Sequence, residues 1–418
     1  MIRIKHFLLS ENTKNFLSNS FYVGISNIIA LISPLVAIPH VVKTVGLTNY
    51  GLSAIALSIS MMTVLIINFG FDISGVNRIA KDKNKTNTIE IIISITYAKT
   101  FLFVVVLTSI VTGLIVIPPL KEYSALLMYS LIIPFSALFN LNWVLQGMEK
   151  FKYLSIFNII GKTIFLIGVL ITITNKEDYV LINAWIGTGT IITGILSIYL
   201  ILRMLPKRVK IRPTKTLIIR ELKDSYEYFL SNISIYSSMY LYTFIVGALT
   251  TNAMAGVFAI IEKIYNLIKA PFSIYQSIMH PRLSILLEQS YTKAKKAIVG
   301  TYFFVIILII SMVLSIMLFQ QQVVGYFVND YILLTRKAML LSLFGIVFVA
   351  INCPIYLIAL AKDMKKEIMR VFIKIPIIGL ISCVLLVHFF GIFGAIYSLI
   401  FTEALYALLL FNELKKLK

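Results

Sequence analysis

One largely apolar stretch of the sequence, residues 256–279, carries six polar side chains at regular helical spacing. Their spacings of three or four residues, with one adjacent pair, place them on a single stripe of an α-helix: Glu262, Tyr265, Asn266, Lys269, Ser273 and Gln276. Such side chains can bind an anion, hydrogen-bond a sugar, or take up and release a proton. A charge inside a bilayer helix costs about 2.5–3.5 kcal/mol and normally faces a bundle interior or a watery cavity. The stripe therefore predicts a transport path, although Glu262 paired with a nearby lysine could simply lock two helices together.

Other apolar stretches carry isolated polar residues of the same kinds. We interpret one set as substrate-binding: Lys99, Lys162, Lys263, Lys269, Tyr265, Asn266, Tyr228 and Tyr242. A second set has the chemistry for ion coupling: Glu262, Glu403 and Asp72. Lysines within a cavity suit an anionic substrate, such as a pyrophosphate-linked lipid or an acidic sugar. Helix packing through small polar residues is the alternative for the tyrosine-rich stretch 226–244.

The elements that position these residues are membrane helices. The 418-residue chain is 59% hydrophobic and 13% charged, and its mean hydropathy is +0.92, a composition typical of a polytopic membrane protein. Charge-poor runs predict an all-α fold with about twelve spans, near 16–39, 50–71, 89–117, 125–147, 154–174, 180–202, 225–247, 253–279, 297–318, 338–361, 371–388 and 392–412.

The loops between these spans differ strongly in basic residues. When alternate loops along the chain are grouped, one set contains 28 Lys and Arg residues and the other contains 5. Because cytoplasmic loops are enriched in Lys and Arg, both termini are predicted to be cytoplasmic. The net charge of +20 follows from this bias, so no nucleic-acid partner is expected.

The most basic loop, residues 203–223, lies midway along the chain and divides the spans into six and six. This predicts an N-terminal six-helix lobe over 1–210 and a C-terminal six-helix lobe over 211–418. A weak internal repeat agrees with duplication: LTNYGLSAIAL begins the second span at residue 47, and LTTNAMAGVFAI begins the eighth at residue 249.

Several enzyme and cofactor motifs are missing from the sequence. It contains no G-x-x-x-x-G-K-[ST], H-E-x-x-H or G-x-S-x-G. Its two cysteines, Cys353 and Cys383, lie in apolar runs and give no metal or disulfide framework. We therefore expect no cofactor and no metal. The first apolar run has 28 residues between Lys14 and Lys43, which is too long for a signal-peptide core, so an uncleaved first span is expected.

Four stretches carry a family resemblance: PLVAIPHVVKTVGLTNYGLSAIA (34–56), NFGFDISGVNRIAKDK (68–83), WVLQGMEKFKYLSIFNIIGK (143–162) and MHPRLS (279–284). Their order and spacing resemble the Wzx-type O-antigen flippases, in the polysaccharide-transport branch of the multidrug/oligosaccharidyl-lipid/polysaccharide exporter superfamily. The resemblance implies two six-helix lobes around a central cavity that opens to either side alternately. It also implies an undecaprenyl-pyrophosphate-linked O-antigen repeat unit as substrate, carried from the inner to the outer leaflet of the bacterial inner membrane. Membrane lipids, an O-antigen polymerase and a chain-length regulator are the partners it suggests.

Two other functions are compatible with parts of the pattern. A cation-coupled multidrug exporter of the same superfamily would favour acids over lysines in its cavity. An O-antigen polymerase or ligase would need a large periplasmic loop with basic residues, whereas the outside segments predicted here are short. The identity of the coupling ion, H⁺ or Na⁺, or its absence, stays open at this point.

Overall fold

The structure is a computed structural model that describes residues 11–82, 87–116, 121, 123–205, 214–362 and 364–416. Every regular element in these residues is helical, which confirms the all-α prediction. The helices are α1 (Glu11–Val45), α2 (Leu47–Asn68), α3 (Phe71–Lys81), α4 (Thr88–Val116), α5 (Ser124–Ser130), α6 (Ile132–Ser136), α7 (Asn142–Gly147), α8 (Phe151–Thr172), the 3₁₀ helix Lys176–Val180, α9 (Leu181–Met204), α10 (Lys215–Leu249), α11 (Asn252–Gln289), α12 (Tyr291–Leu318), α13 (Gln320–Phe327), α14 (Ile332–Ala361), α15 (Lys365–Phe390) and α16 (Ile392–Lys415).

Among the described residues, nine helical segments are long and apolar enough to cross a membrane. They correspond to nine of the twelve predicted spans. The predicted span at 125–147 is not one helix, because the chain there breaks into α5, α6 and α7. The predicted spans at 225–247 and 253–279 each lie within one continuous helix, α10 and α11. Their polar stretches exclude these two helices from the nine candidates for crossing the membrane. The count of twelve crossings stays a prediction.

The two shortest predicted loops are both present and have clear local causes. Gly391, with a φ of 57°, separates α15 from α16, and glycine adopts this backbone conformation at little cost. The Thr251 side chain accepts a hydrogen bond from the backbone N–H of Met254 at the start of α11. A threonine at this position satisfies a backbone donor that the first turn of the helix leaves unpaired.

The described residues form two compact units, each assembled from separate parts of the chain. Unit 1 comprises those of Met1–Ser33, Thr63–Gly168 and Asn183–Phe229, and unit 2 those of Pro34–Met62, Val169–Ile182 and Leu230–Lys418. The lobe boundary at residue 210 stays a prediction, since residues 206–213 lie outside the described part of the chain.

In unit 1 the short helix α3 contributes to a buried aromatic and aliphatic core. The core includes Phe71, Ile95, Trp143, Val144 and Leu145. A sharp turn at Phe69 and Gly70, with φ values of 42° and 75°, leads from α2 into α3. The Arg78 guanidinium on α3 binds the Glu221 carboxylate at the start of α10 at 2.6 Å, and the Ser74 and Ser225 hydroxyls hydrogen-bond at 2.8 Å. These bonds fix α3 to the first turns of α10.

In unit 2 the two halves of the sequence repeat lie against each other. A β-carbon at Gly51 on α2 would overlap the backbone oxygen of Asn252 on α11, and one at Gly256 would come within 2.7 Å of the Leu47 oxygen. The helices approach so closely because glycine has no side chain at either position. Elsewhere in this unit, α14, α15 and α16 enclose a buried cluster that includes Ala359, Val371, Ile375 and Leu410.

Candidate functional site

Unit 2 contains a cavity of about 460 Å³. Five helices, α10, α11, α14, α15 and α16, supply its walls. The lining residues are Tyr242, Phe258, Glu262, Tyr265, Asn266, Lys269, Gln276, Val349, Asn352, Cys353, Tyr356, Phe372, Ile375, Leu399, Thr402, Glu403, Tyr406 and Leu410. A cavity of this size is typical of small-molecule sites, in which a mostly apolar wall carries a few polar groups.

The helical period explains why these residues converge. Five of the six polar residues of the α11 stripe line the cavity, and Ser273 is the one that does not. The same three-and-four spacing recurs on α14, from Val349 through Asn352 to Tyr356, and on α16, from Leu399 through Glu403 to Tyr406. Each helix thus presents one face to the cavity.

An ion pair joins two of the helices that line this cavity. Lys269 Nζ on α11 lies 2.5 Å from Glu403 Oε1 on α16, and the two side chains are 41% and 12% exposed. Asn352 Nδ2 on α14 donates to the backbone oxygen of Glu403 at 3.0 Å and lies 3.5 Å from its Oε2. The amide therefore holds in place the turn of α16 that carries the carboxylate, and a mostly buried carboxylate needs such bonds.

A second carboxylate, that of Glu262, lies nearer the start of α11. The hydroxyl of Thr243 on α10 donates to its Oε2 at 3.3 Å. Next to it along α10, the Tyr242 hydroxyl hydrogen-bonds the Ser398 hydroxyl at 3.0 Å. The cavity lining contains two carboxylates and one lysine, so Lys269 balances one acid and the second remains as an acceptor of protons or hydrogen bonds.

Two buried polar atoms of the cavity lining, one of them the Tyr265 hydroxyl, have no hydrogen-bond partner among the described residues. The other is the Oδ1 of Asn352. A buried carbonyl oxygen without a donor costs about 1–3 kcal/mol, which a ligand with an O–H or N–H group would recover. The cavity thus offers an unused acceptor close to the Lys269–Glu403 pair.

A family model described as polysaccharide biosynthesis protein matches residues 16–287. The chain belongs to this family. A candidate O-antigen transporter of Escherichia coli (strain K12) is 21% identical over 411 residues, which are 95% of this chain and 96% of that protein. A candidate O-antigen transporter of Shigella dysenteriae is 25% identical over 399 residues, which are 91% of this chain and 96% of that protein. The family resemblance predicted from the sequence is confirmed.

The fold of this polysaccharide biosynthesis protein is that of known transporters. An inward-facing structure of a multidrug resistance MATE family transporter of the MOP superfamily superimposes with a TM-score of 0.65 at 14% identity, covering 94% of this chain and 98% of that one. Identity this low shows the fold alone. Family, fold and apolar helices together make the chain a multi-pass membrane protein of this family with a fold shared by known transporters.

The structure brings six of the predicted site residues together and places the other five elsewhere. The six that line the cavity are Glu262, Tyr265, Asn266, Lys269, Tyr242 and Glu403. Lys263 is half-buried on α11 but is not among the lining residues. Lys162 and Tyr228 are half-buried in unit 1, and Asn77 Nδ2 donates to the Tyr228 hydroxyl at 3.4 Å.

The remaining two, Lys99 and Asp72, bind each other in unit 1 of this polysaccharide biosynthesis protein. Lys99 Nζ lies 3.1 Å from Asp72 Oδ1. The lysine side chain is 2% exposed and the aspartate 43%, so the carboxylate partly faces out while the ammonium is enclosed. The sequence proposed a substrate role for one and a coupling role for the other, and it gave no sign of their pairing across 27 positions.

The sequence reasoning missed several of the residues that line the cavity, among them Asn352, Tyr356 and Phe372. Asn352 is the one amide in an apolar run directly before Cys353 and Pro354, and that isolation was the signal that could have singled it out. Tyr356 and Phe372 gave no usable signal, because an aromatic residue in a membrane span is normally a packing residue. No group of three His, Cys, Asp or Glu that could hold a metal ion occurs among the described residues.

Proposed function

We propose that this chain is a flippase for undecaprenyl-pyrophosphate-linked O-antigen repeat units. It would carry them from the inner to the outer leaflet of a bacterial inner membrane by alternating access of two six-helix lobes. The observation that carries the proposal is the cavity of unit 2, because hydrogen-bonding and charged side chains line it between helices of which three, α14, α15 and α16, are apolar and long enough to cross a membrane. Family membership supports a polysaccharide-related cargo.

The physical need for such a path is clear. Sugar hydroxyls and a pyrophosphate cannot enter hydrocarbon without losing their hydrogen bonds to water. Polar side chains on facing helices replace those bonds during passage, while the polyprenyl tail stays in lipid. Charged groups inside membrane helices are costly, and a transport path is a role that accounts for them.

The proposed roles follow the chemistry of each residue. Lysines attract the pyrophosphate or acidic sugars, and tyrosines and Asn266 bind sugar hydroxyls. The acids couple transport to a proton or Na⁺ gradient. The first candidates are the two acids of the cavity, Glu262 and Glu403, and Asp72 is the third. An O-antigen polymerase and a chain-length regulator are proposed partners on the outer side.

A transport assay tests the proposal directly. Purified protein is reconstituted into vesicles with the lipid-linked repeat unit in the inner leaflet, and an external lectin measures how much sugar reaches the outer leaflet. Wild-type protein should expose the sugar, whereas Lys269→Ala should expose little. Lys269→Arg should restore part of the rate, because arginine keeps the charge but not the hydrogen-bond shape.

Lys374→Ala is the matched control. Lys374 lies on α15 of the same unit, is exposed, and is not among the cavity-lining residues. Its variant should transport like wild type. Equal transport by Lys269→Ala and Lys374→Ala would remove the cavity lysine from the mechanism, and no transport by wild-type protein would overturn the flippase proposal.

One observation favours a second function, export of organic cations. The described cavity has two carboxylates against one lysine, and aromatic side chains beside acids can hold a cation. Vesicles loaded with a fluorescent organic cation separate the two functions. Cation efflux that Glu262→Gln abolishes, without movement of the lipid-linked sugar, would favour the exporter.

A further inference from the structure

Three aromatic side chains form a continuous patch on one wall of the cavity of unit 2. The Tyr356 ring on α14 stacks on the Phe372 ring on α15, with centroids 5.8 Å apart and planes inclined by 22°. The Tyr406 ring on α16 meets Phe372 edge-on at 5.6 Å. All three rings are partly buried and line the cavity. We call these three residues the aromatic wall.

The aromatic wall packs against buried apolar side chains. All three rings pack against the buried cluster formed by α14, α15 and α16, which includes Val371, Ile375 and Leu410. Because this packing limits the orientations open to each ring, a ligand that lies on the wall does not have to order it first. Rigid, pre-formed surfaces bind with a smaller entropic cost.

Hydrogen-bonding groups adjoin the aromatic wall on the same helix faces. Asn352 precedes Tyr356 by four residues and Glu403 precedes Tyr406 by three, so each polar side chain lies one turn from a ring. The Oδ1 of Asn352 is the buried acceptor without a partner described above. A ligand that lies on the rings and points a hydroxyl at this oxygen would satisfy it.

The charges of the cavity match a neutral polar ligand better than a phosphate. Lys269 is already bound to Glu403 at 2.5 Å, and Glu262 adds a second carboxylate to the lining. A pyrophosphate here would meet more negative than positive charge, whereas sugar hydroxyls donate readily to carboxylate and amide oxygens.

We propose that the aromatic wall and Asn352 form the subsite for one pyranose ring of the cargo. One C–H face of the sugar lies on the rings, whose faces carry partial negative charge, and a ring hydroxyl donates to Asn352 Oδ1. This inference rests on the proposed function and deepens it. The cavity of unit 2 would take the sugar, so of the lysines proposed above those outside the cavity lining, Lys99, Lys162 and Lys263, would bind the pyrophosphate.

Saturation-transfer NMR on the full-length protein in nanodiscs provides the test. The probes are free D-galactose, N-acetyl-D-glucosamine and L-rhamnose, and the open-chain polyol D-sorbitol is the control ligand, since it has hydroxyls but no ring face. Such measurements suit weak binding by single sugars. At least one pyranose should receive saturation, most strongly on the C–H protons of one ring face, and sorbitol should not.

Variants then locate the binding. Phe372→Leu and Tyr406→Leu keep apolar bulk but remove a ring, and each should reduce the saturation signal at least threefold. Tyr406→Phe, which keeps the ring, should preserve it. Tyr397→Leu is the matched control, because Tyr397 lies on the same helix, is 42% exposed and does not line the cavity. Uniform saturation of the sugar in wild-type protein would overturn the subsite even if every leucine variant failed to fold.

The lectin-based transport assay separates this subsite from the flippase proposal. Transport of the lipid-linked repeat unit by wild type, Phe372→Leu and Tyr406→Leu at equal rates would refute the subsite and leave the flippase intact. The opposite result is ring-face saturation that depends on these rings, together with no transport of the lipid-linked repeat unit by wild type. It would support the subsite and refute the flippase. Binding of an organic cation that is lost with the rings, in place of sugar binding, would also refute the subsite.

Discussion

At the scale of single residues, the bond between Lys269 and Glu403 joins two opposite charges that line the cavity of unit 2. Removing one partner leaves the other charge poorly solvated, which costs about 3–5 kcal/mol for a fully buried pair. Because the Lys269 side chain is 41% exposed, we expect Lys269→Met or Glu403→Leu alone to lower the free energy of unfolding by about 1–3 kcal/mol.

The double variant Lys269→Met/Glu403→Leu should recover most of that loss, since it leaves no unpaired charge. Thermal unfolding in detergent measures all three variants against wild type. Recovered stability together with lost transport would show that the pair serves transport. If the losses of the two single variants simply add in the double variant, the two charges do not stabilise each other.

The other cavity acid has a different environment and a different expected behaviour. The described hydrogen-bond partner of Glu262 is the neutral hydroxyl of Thr243. Replacing the Glu262 carboxylate therefore changes a hydrogen bond to a hydroxyl and does not break an ion pair there. We predict that Glu262→Gln folds and binds sugar but loses the dependence of transport on a proton gradient. Glu403→Gln should lose this dependence and some stability as well, because it breaks the bond to Lys269.

Vesicle transport with and without a pH gradient measures this effect. Glu177→Gln, at an exposed position in the 3₁₀ helix, is the control and should leave the gradient dependence unchanged. If both cavity variants respond to the gradient like wild type, the coupling group lies elsewhere, with Asp72 as the next acid to test, or transport is uncoupled.

How much of the site could be predicted depended on periodicity. The stripe on α11 was predictable because its polar residues contrast with an apolar background at helical spacing. Glu403 was predictable as an acid within an apolar run, but its bond to Lys269 joins positions 134 apart, and one sequence does not reveal such a distant contact. The aromatic wall was hidden for another reason, since its tyrosines and phenylalanine look like ordinary lipid-facing or packing residues.

At the scale of helices, the close approach of α2 and α11 depends on two glycines. A β-carbon at Gly51 would overlap backbone atoms of α11, and backbone atoms cannot move aside as a flexible side chain can. We expect Gly51→Ala to lower the free energy of unfolding by about 1–3 kcal/mol, the usual cost of overpacking, despite the better helix propensity of alanine.

Gly300→Ala on α12 is the matched control. No described atom lies within 4 Å of a β-carbon there, so alanine should be neutral or raise stability by up to about 1 kcal/mol. Unfolding temperatures in detergent compare the two variants. A stable Gly51→Ala protein would mean that the two helices can separate without cost.

A second prediction at this scale concerns the bond between α3 and α10. Glu221 is fully buried and lies 2.6 Å from Arg78 but 3.8 Å from its neighbour Arg220. Arg78→Ala should therefore destabilise the protein by about 2–3 kcal/mol, because it leaves a buried carboxylate with a distant partner. Arg220→Ala, at a 57% exposed side chain, should change stability by less than about 0.5 kcal/mol. Equal effects of the two variants in thermal unfolding would contradict this assignment.

Most helices could be predicted from charge-poor runs, because membrane helices must be apolar over their length. The region 125–147 could not, since its apolar composition hides the breaks between α5, α6 and α7. α3 was also missed, because its amphipathic sequence after Gly70 reads as loop when only hydrophobic length is counted. Glu221 was counted among the polar residues of a basic loop, while the structure buries it against Arg78.

At the scale of the whole molecule, the distribution of basic residues predicts orientation. Reporter fusions after residues near 82, 212 and 364 should be active in the cytoplasm, and those near 121 and 325 in the periplasm. The asymmetry of 28 against 5 basic residues in the two sets of loops is the physical reason. A periplasmic location of loop 203–223 would overturn the assignment, since eight of the 28 lie there.

The composition of the compact units has a consequence for dividing the gene. Unit 2 takes Pro34–Met62 and Val169–Ile182 from the first half of the chain, and unit 1 takes the start of α10 from the second half. A cut within residues 206–213 would produce two polypeptides, neither of which contains all parts of a unit. Each fragment made alone would lack segments that its partner supplies, such as the α2 face that covers Gly256. The two halves would therefore have to be synthesised together and to meet in the same membrane, however alike they are in sequence.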